Sequence, residues 1–223
     1  MKRTNRRRVL QLGAGLGSGL LGKAEEGRAP GRPLSGYGER SKYVKPVRTM
    51  RQTKTPQAGS SATPLADMYG IITPSALHYE RHHAGVPDID PERHTLLIHG
   101  LVERPLLLTM EDIRRLPSVS RIHFLECGGN SGGEWQEKTG PDAQRSYGLA
   151  SCSEWTGVPL RLALREAGVK PEAKWMIAEG ADACRMQRSV PLTQDLDDAL
   201  LAYGQNGEPL RPEQGFPLRL LTP

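Results

Sequence analysis

The stretch Arg121-Ile-His-Phe-Leu-Glu-Cys127-Gly-Gly-Asn-Ser-Gly-Gly-Glu-Trp135 reads first as a strand and then as a loop. β-Forming residues run from Val119 to Phe124, with Ile122, Phe124 and Leu125 apolar. The strand then delivers Cys127 into a turn with four glycines in seven residues. A thiolate is the soft ligand among the side chains, and glycines let a bulky ligand approach the main chain closely. A lone cysteine at a strand end is also common as a small buried hydrophobe. Two readings therefore stand at this point: a ligand for a soft metal, or a packed thiol.

The neighbouring segments set the fold class. Upstream, Thr95 to Val102 and Leu106 to Leu108 read as strands, and Thr109-Met-Glu-Asp112 as a helix start with a Thr N-cap and acids in its first turn. Downstream, Gly148 to Thr156 links to a helix beginning at Val158-Pro159, with Leu160, Leu164 and Ala167 as its stripe and Gly168 just past its end. Lys174 to Ala178 reads as a strand and 179–184 as a turn, and Ser189 to Thr193 leads into a short acidic helix to Leu200. A strand at Leu200 to Tyr203, an Asn206-Gly207 turn and a strand at Phe216 to Leu221 close the chain. Strands and short helices mix without a βαβ rhythm, which predicts an α+β domain with several antiparallel pairs.

Composition excludes some functions. Residues 1–59 hold 14 of the 30 Lys and Arg but 3 of the 25 Asp and Glu, so the net charge of +5 belongs to the amino terminus and the rest is acidic. With 5% aromatic residues there is little for base stacking, and nucleic-acid binding is not expected. Cys127, Cys152 and Cys184 are too few and too scattered for a disulfide framework or a paired zinc site. Arg6-Arg7-Arg8 ahead of a short, weakly apolar run to Gly22 predicts a twin-arginine export signal over 1–24 and a periplasmic enzyme; the run is too short to span a bilayer. Residues 25–62 have a linker composition, and the ordered domain is expected over 63–223.

His78-Tyr79-Glu80-Arg81-His82-His83 is the other unusual stretch, in a segment that Pro74, Pro87 and Pro91 keep irregular. A zinc site at His78 and His82, a solvated loop, and an anion- or cofactor-binding loop built on Arg81 all fit these residues.

Taken in order, Arg81-x-His83-x-x-Val86-Pro87, Cys127-x-Gly129-Asn130, Gly204-x-Asn206-Gly207-x-Pro209-Leu210 and Gly215-Phe216-Pro217-Leu218-Arg219 resemble the motifs of the sulfite oxidase family of molybdenum enzymes. Gly70 to Pro74, Phe124 to Gly132 and Ser151 to Trp155 resemble the SoxC-type molybdenum subunit of sulfane dehydrogenases in Sox sulfur oxidation. The resemblance implies a sulfite-oxidase-type molybdopterin-binding domain in which Cys127 gives its thiolate to molybdenum. It implies that Tyr79, Glu80, Arg81, His82 and His83 line the pterin, with Arg81 toward the metal's oxo groups. Asp182 and Arg219 match positions that hold the pterin and its phosphate, while Gln214 stands where the family has a histidine.

Sulfite-oxidising members carry two arginines where this chain has Ser131 and Gly132. Sulfite is a dianion that needs cations around it, so the departure favours sulfane sulfur delivered on a cysteine of a carrier protein. The implied chemistry is oxygen-atom transfer, with electrons leaving to a separate cytochrome c subunit because the chain has no CxxCH haem motif. A sulfite dehydrogenase or a sulfoxide reductase is the alternative within the family. The sequence stops on an apolar strand at Pro223, which predicts a truncated chain. The family's catalytic tyrosine and immunoglobulin-like dimerisation domain would lie beyond it, and without them the chain would be an inactive remnant.

Overall fold

The structure is a computed structural model that describes residues 30–53, 55–136, 142–192 and 196–222. The leader expected over 1–24 lies outside the described residues. The chain divides into Met1–Val44 and Lys45–Pro223. In the first unit, residues 30–44 carry no helix or strand, and Arg32 pairs with Glu39.

The second unit is α+β, as its sequence predicts, and every strand pairing among its described residues is antiparallel. Its main sheet runs β11 (Glu208–Pro209), β10 (Leu200–Gln205), β7 (Ala150–Pro159), β6 (Val119–Glu126), with β12 (Arg219–Leu221) also on β10. Two hairpins stand beside it, β4 (Thr95–Ile98) with β5 (Leu106–Thr109) and β8 (Trp175–Glu179) with β9 (Gln187–Pro191). Local chemistry accounts for the joints. Thr109 and Asp112 form a reciprocal capping box at the head of α1 (Met110–Arg115). Gly168 ends α3 (Leu160–Ala167) at φ 66°, and Asn206 and Gly207 turn β10 into β11 at φ 51° and 78°.

Three segments differ from their sequence reading. Residues 150–159 form one ten-residue strand, and the helix starts only at Leu160, with Pro159 capping it. Gly157 makes the long strand possible, since a Cβ there would sit 2.3 Å from the Leu201 carbonyl oxygen. The expected acidic helix before Leu200 is a turn at Asp197–Asp198 among the described residues; 193–195 lie outside them. The expected linker holds β1 (Thr49–Gln52) and β2 (Gly59–Ala62), which build a three-stranded sheet with β3 (Glu80–His82). Its polar composition gives no sign of this, because the strands owe their order to pairing with a distant segment.

Two apolar clusters support the main sheet. Met110, Ile113, Val158, Leu160, Ala163, Ala199 and Leu201 pack helices α1 and α3 on one end. Trp155, Leu200, Ala202, Leu210 and Leu221 fill the middle. Beyond Trp155 the buried face turns polar, with Ser151, Ser153 and Gln205 all hidden from solvent.

Candidate functional site

Cys127 follows the last residue of β6, where its N–H donates to the Leu149 carbonyl (3.0 Å). Its own carbonyl accepts from the Asn130 N–H (2.8 Å), closing a tight turn, and the thiol stays partly exposed. The Gly129 N–H donates to the Cys127 sulfur (3.5 Å), and a Cβ on Gly128 would meet nothing within 4 Å, so the loop is open at that residue. Asn130 locks this turn in place. Its Nδ2 donates to Glu126 Oε1 (2.8 Å) and the Tyr147 carbonyl (3.2 Å), and its Oδ1 accepts from the Leu149 N–H (3.0 Å). Ser131 then takes φ 55° and donates its N–H to the Ser146 carbonyl at the end of helix α2 (Ala143–Tyr147).

Tyr79 packs in the same small cluster as Cys127, with Ala62 and Leu149. Burial pushes its pKa up to about 12, with the nearby Cys127 and Glu126 adding to the rise and Arg219 opposing it, so the phenol stays neutral. Arg219 comes to the cluster from β12. Its Nη1 donates to the Gln214 carbonyl and to Gln214 Oε1, both at 3.1 Å, and its guanidinium carbon lies 5.3 Å from the Trp155 ring centre. Burial lowers the pKa of Arg219, yet guanidinium remains charged in proteins. Among the described residues no carboxylate pairs with it. Arg219 is partly exposed and its hydrogen-bond acceptors are neutral, so its charge is left to meet an anion.

Gln214 is buried and ties these parts together, its Nε2 donating to the Tyr79 carbonyl (2.8 Å). Standing where the family's histidine is expected, it serves Arg219 and Tyr79.

His78 is fully buried and Nδ1 donates to the Tyr79 carbonyl (2.9 Å). Its ring stacks on Tyr79 (5.0 Å) and meets Trp155 edge-on (5.6 Å). Burial drives its pKa down to about 4, against the raising effect of the Tyr79 carbonyl and with help from Arg219 and Arg48. The unfolded chain takes up a proton near 6.5, so stability is full above that pH and drains away as pH falls toward 4. Denaturant unfolding should lose about 2–3 kcal/mol through this residue between pH 7 and 4.5. In His78→Gln the fall over the same range should be smaller by that amount; an unchanged fall would contradict a neutral buried imidazole.

Among the described residues, four buried polar atoms lack partners: His78 Nε2, Trp155 Nε1, His123 Nε2 and Gln205 Oε1. They belong to the polar end of the sheet and the segment over it. Native interiors satisfy such atoms with few exceptions, so these mark places for water or a polar ligand.

The remaining sequence-predicted residues are spread more widely. Glu80 and His82 turn away from Tyr79 in the alternation of β3; Glu80 accepts from Ser61 Oγ (2.7 Å) and pairs with His82 Nε2 (3.1 Å) and Arg48 Nη2 (3.3 Å). His82 and the buried His78 thus serve different surroundings and form no shared metal site. Arg81 is exposed, donating to the Gly59 and His82 carbonyls, and His83 is exposed just after β3. Asp182 lies in the connection of the β8–β9 hairpin, with no contact to the Cys127 cluster among the described interactions. The sequence assigns no role to Asn130 or Trp155 beyond their place in the Cys-x-Gly-Asn and Ser-Cys-Ser-Glu-Trp motifs, and offers His78 only as a zinc ligand with His82. Among the described residues no three His, Cys, Asp or Glu side chains gather to hold a metal. A metal at Cys127 would therefore bring most of its ligands with it.

One half-exposed thiol, one cation with neutral partners, and unpartnered ring nitrogens on His78 and Trp155 beside Tyr79 and Arg219 fit a phosphate-bearing, metal-binding organic cofactor. Comparison with known proteins agrees. Residues 83–223 match the family described as the oxidoreductase molybdopterin binding domain. The NADH nitrate reductase of Ulva prolifera is 36% identical over 74% of this chain and 21% of its own length. The mitochondrial sulfite oxidase of Drosophila melanogaster is 35% identical over 86% of this chain and 34% of its own. The crystal structure of the sulfane dehydrogenase SoxCD from Paracoccus pantotrophus superposes with a TM-score of 0.75 at 40% identity, covering 85% of this chain and 52% of that one. The chain thus spans about half of the SoxCD chain and a smaller part of the other two. It belongs to the sulfite oxidase family of molybdopterin-binding oxidoreductases, with a SoxC-like fold and molybdenum held by molybdopterin as its cofactor.

Proposed function

We propose that this chain is the molybdopterin-binding part of an enzyme that oxidises sulfane sulfur carried on a cysteine of a carrier protein. When bound, the cofactor supplies oxygen-atom transfer to sulfur, the oxygen coming from water and the electrons passing to a cytochrome c subunit. Cys127 would give its thiolate to molybdenum at a turn that Asn130 fixes. Arg219 would meet the cofactor's phosphate from beside Trp155, and Tyr79 would form a neutral wall. Arg81 would serve the oxyanions of the reacting centre, and His83 and Asp182, which lie apart from the Cys127 cluster, would contact the pterin from outside it. Glu80 and His82 act from behind β3, where they bond each other and Glu80 also pairs with Arg48.

The observation that carries the choice of substrate is the mouth of the Cys127 loop. Ser131 and Gly132 hold no charge there; the Ser131 N–H is committed to the Ser146 carbonyl, and a Cβ on Gly132 would crowd the Gly129 carbonyl oxygen at 3.3 Å. A dianion finds no cation at these positions, whereas a tethered persulfide needs space more than charge. The likeness to the sulfane dehydrogenase SoxCD supports the same choice. Export by the twin-arginine route to the periplasm belongs to this reading and rests on Arg6-Arg7-Arg8 and the weakly apolar run behind them. No helix among the described residues is long and apolar enough to cross a membrane.

Turnover with a persulfidated carrier protein against free sulfite, each with cytochrome c as acceptor, separates the readings. Oxidation of the carrier-bound sulfur and background rates with sulfite are expected. Rapid turnover of free sulfite would overturn the substrate and favour a sulfite dehydrogenase.

A further inference from the structure

We infer that Arg48 is a positioning residue for the cofactor site: its guanidinium bridges Glu80 and Glu213 and so sets the spacing between the Tyr79 segment and the turn that carries Gln214. The inference rests on the reading that Tyr79 and Arg219 line the cofactor.

Arg48 lies just before β1, in the stretch whose composition reads as a linker. Its Nη2 is 3.3 Å from Glu80 Oε1 and its Nη1 3.7 Å from Glu213 Oε1, while Nη1 also donates to the His78 carbonyl (3.3 Å). The three side chains are only 21%, 10% and 17% exposed, so this is not a solvated surface pair of little consequence. Each carboxylate is one residue from a wall of the site. Glu80 follows Tyr79, and Glu213 precedes Gln214, which bonds both the Tyr79 carbonyl and Arg219. One cation therefore holds together the two backbone segments whose separation decides where Tyr79 and Arg219 stand.

Removing it would leave two carboxylates on facing segments with Glu213 deprived of its cation. Glu80 keeps Ser61 and His82, so the cost falls on the seam and not on β3. Repulsion across that seam would widen it, and Gln214 could no longer serve Tyr79 and Arg219 at once. Neutralising Glu213 as well removes the repulsion, which makes the effect reversible by a second change. A purely packing role for the Arg48 stem would show no such reversal.

The test is molybdenum and pterin content of the full chain produced with its cofactor supply. Arg48→Gln should fall about tenfold in both, the scale on which supporting residues act at metal sites. Arg48→Gln/Glu213→Gln should recover most of the loss. If the single variant is insoluble, a soluble, loaded double variant supports the inference and an empty or insoluble one contradicts it. Full cofactor content in Arg48→Gln, or no recovery in the double variant, overturns it. Arg219→Met serves as the reference: if it loses the cofactor while Arg48→Gln keeps it, the bridge alone is wrong, and if it too keeps the cofactor, the reading of the site is wrong.

Discussion

Cys127→Ser is expected to reduce the proposed sulfur-oxidising turnover of the cofactor-loaded protein to background while leaving the fold intact. A serine hydroxyl does not ionise near neutral pH, so it cannot replace a thiolate on a soft metal. The backbone bonds of residue 127, from its N–H to Leu149 and from Asn130 N–H to its carbonyl, do not depend on the side chain. The thiol is partly exposed, so the exchange costs about 1 kcal/mol of stability or less. Activity assay alongside denaturant unfolding checks both halves. A fully active variant would remove Cys127 from the chemistry.

Arg219→Met should separate stability from cofactor binding with opposite signs. Methionine keeps the apolar stem against Trp155 but removes a half-buried charge that has only neutral partners. Relief of that charge is offset in part by the acceptors left on Gln214, so the cofactor-free protein should be unchanged or more stable by up to about 2 kcal/mol. Cofactor retention should fall by about 10- to 100-fold, because the anion loses its cation. Urea unfolding of cofactor-free protein and pterin analysis of loaded protein read the two effects. A strong loss of stability without the cofactor would mean that Arg219 is a structural residue and not a binding one.

Features set by neighbours along the chain are legible in the sequence itself. The capping box at Thr109, the Asn206-Gly207 turn and the Gly168 helix end each follow from a few adjacent residues. The Cys127 loop is legible for the same reason, since glycines and one thiol mark it locally. Features that depend on distant partners are not. On β6 the alternation reverses what hydropathy suggests: Ile122 and Phe124 face solvent at 53% and 61% exposure, while His123 faces inward with a buried, unpartnered Nε2. Polar residues on both β6 and β7 line this end of the sheet, so apolar content does not identify the inner face. Strands β1 and β2 exist through pairing with β3, which their own polar content does not announce. The group of six residues from His78 to His83 is legible as unusual, but strand alternation divides it. Tyr79 belongs with Cys127, and Glu80 and His82 with Arg48. Arg48 and Gln214 acquire their roles only through contacts made across the chain.

X-ray absorption at the molybdenum edge, on wild type and on Cys127→Ser loaded with cofactor, tests the central claim most directly. A protein thiolate on the metal predicts one fewer sulfur neighbour around molybdenum in the variant than in the wild type. An identical sulfur shell in both proteins would show that Cys127 is not the ligand.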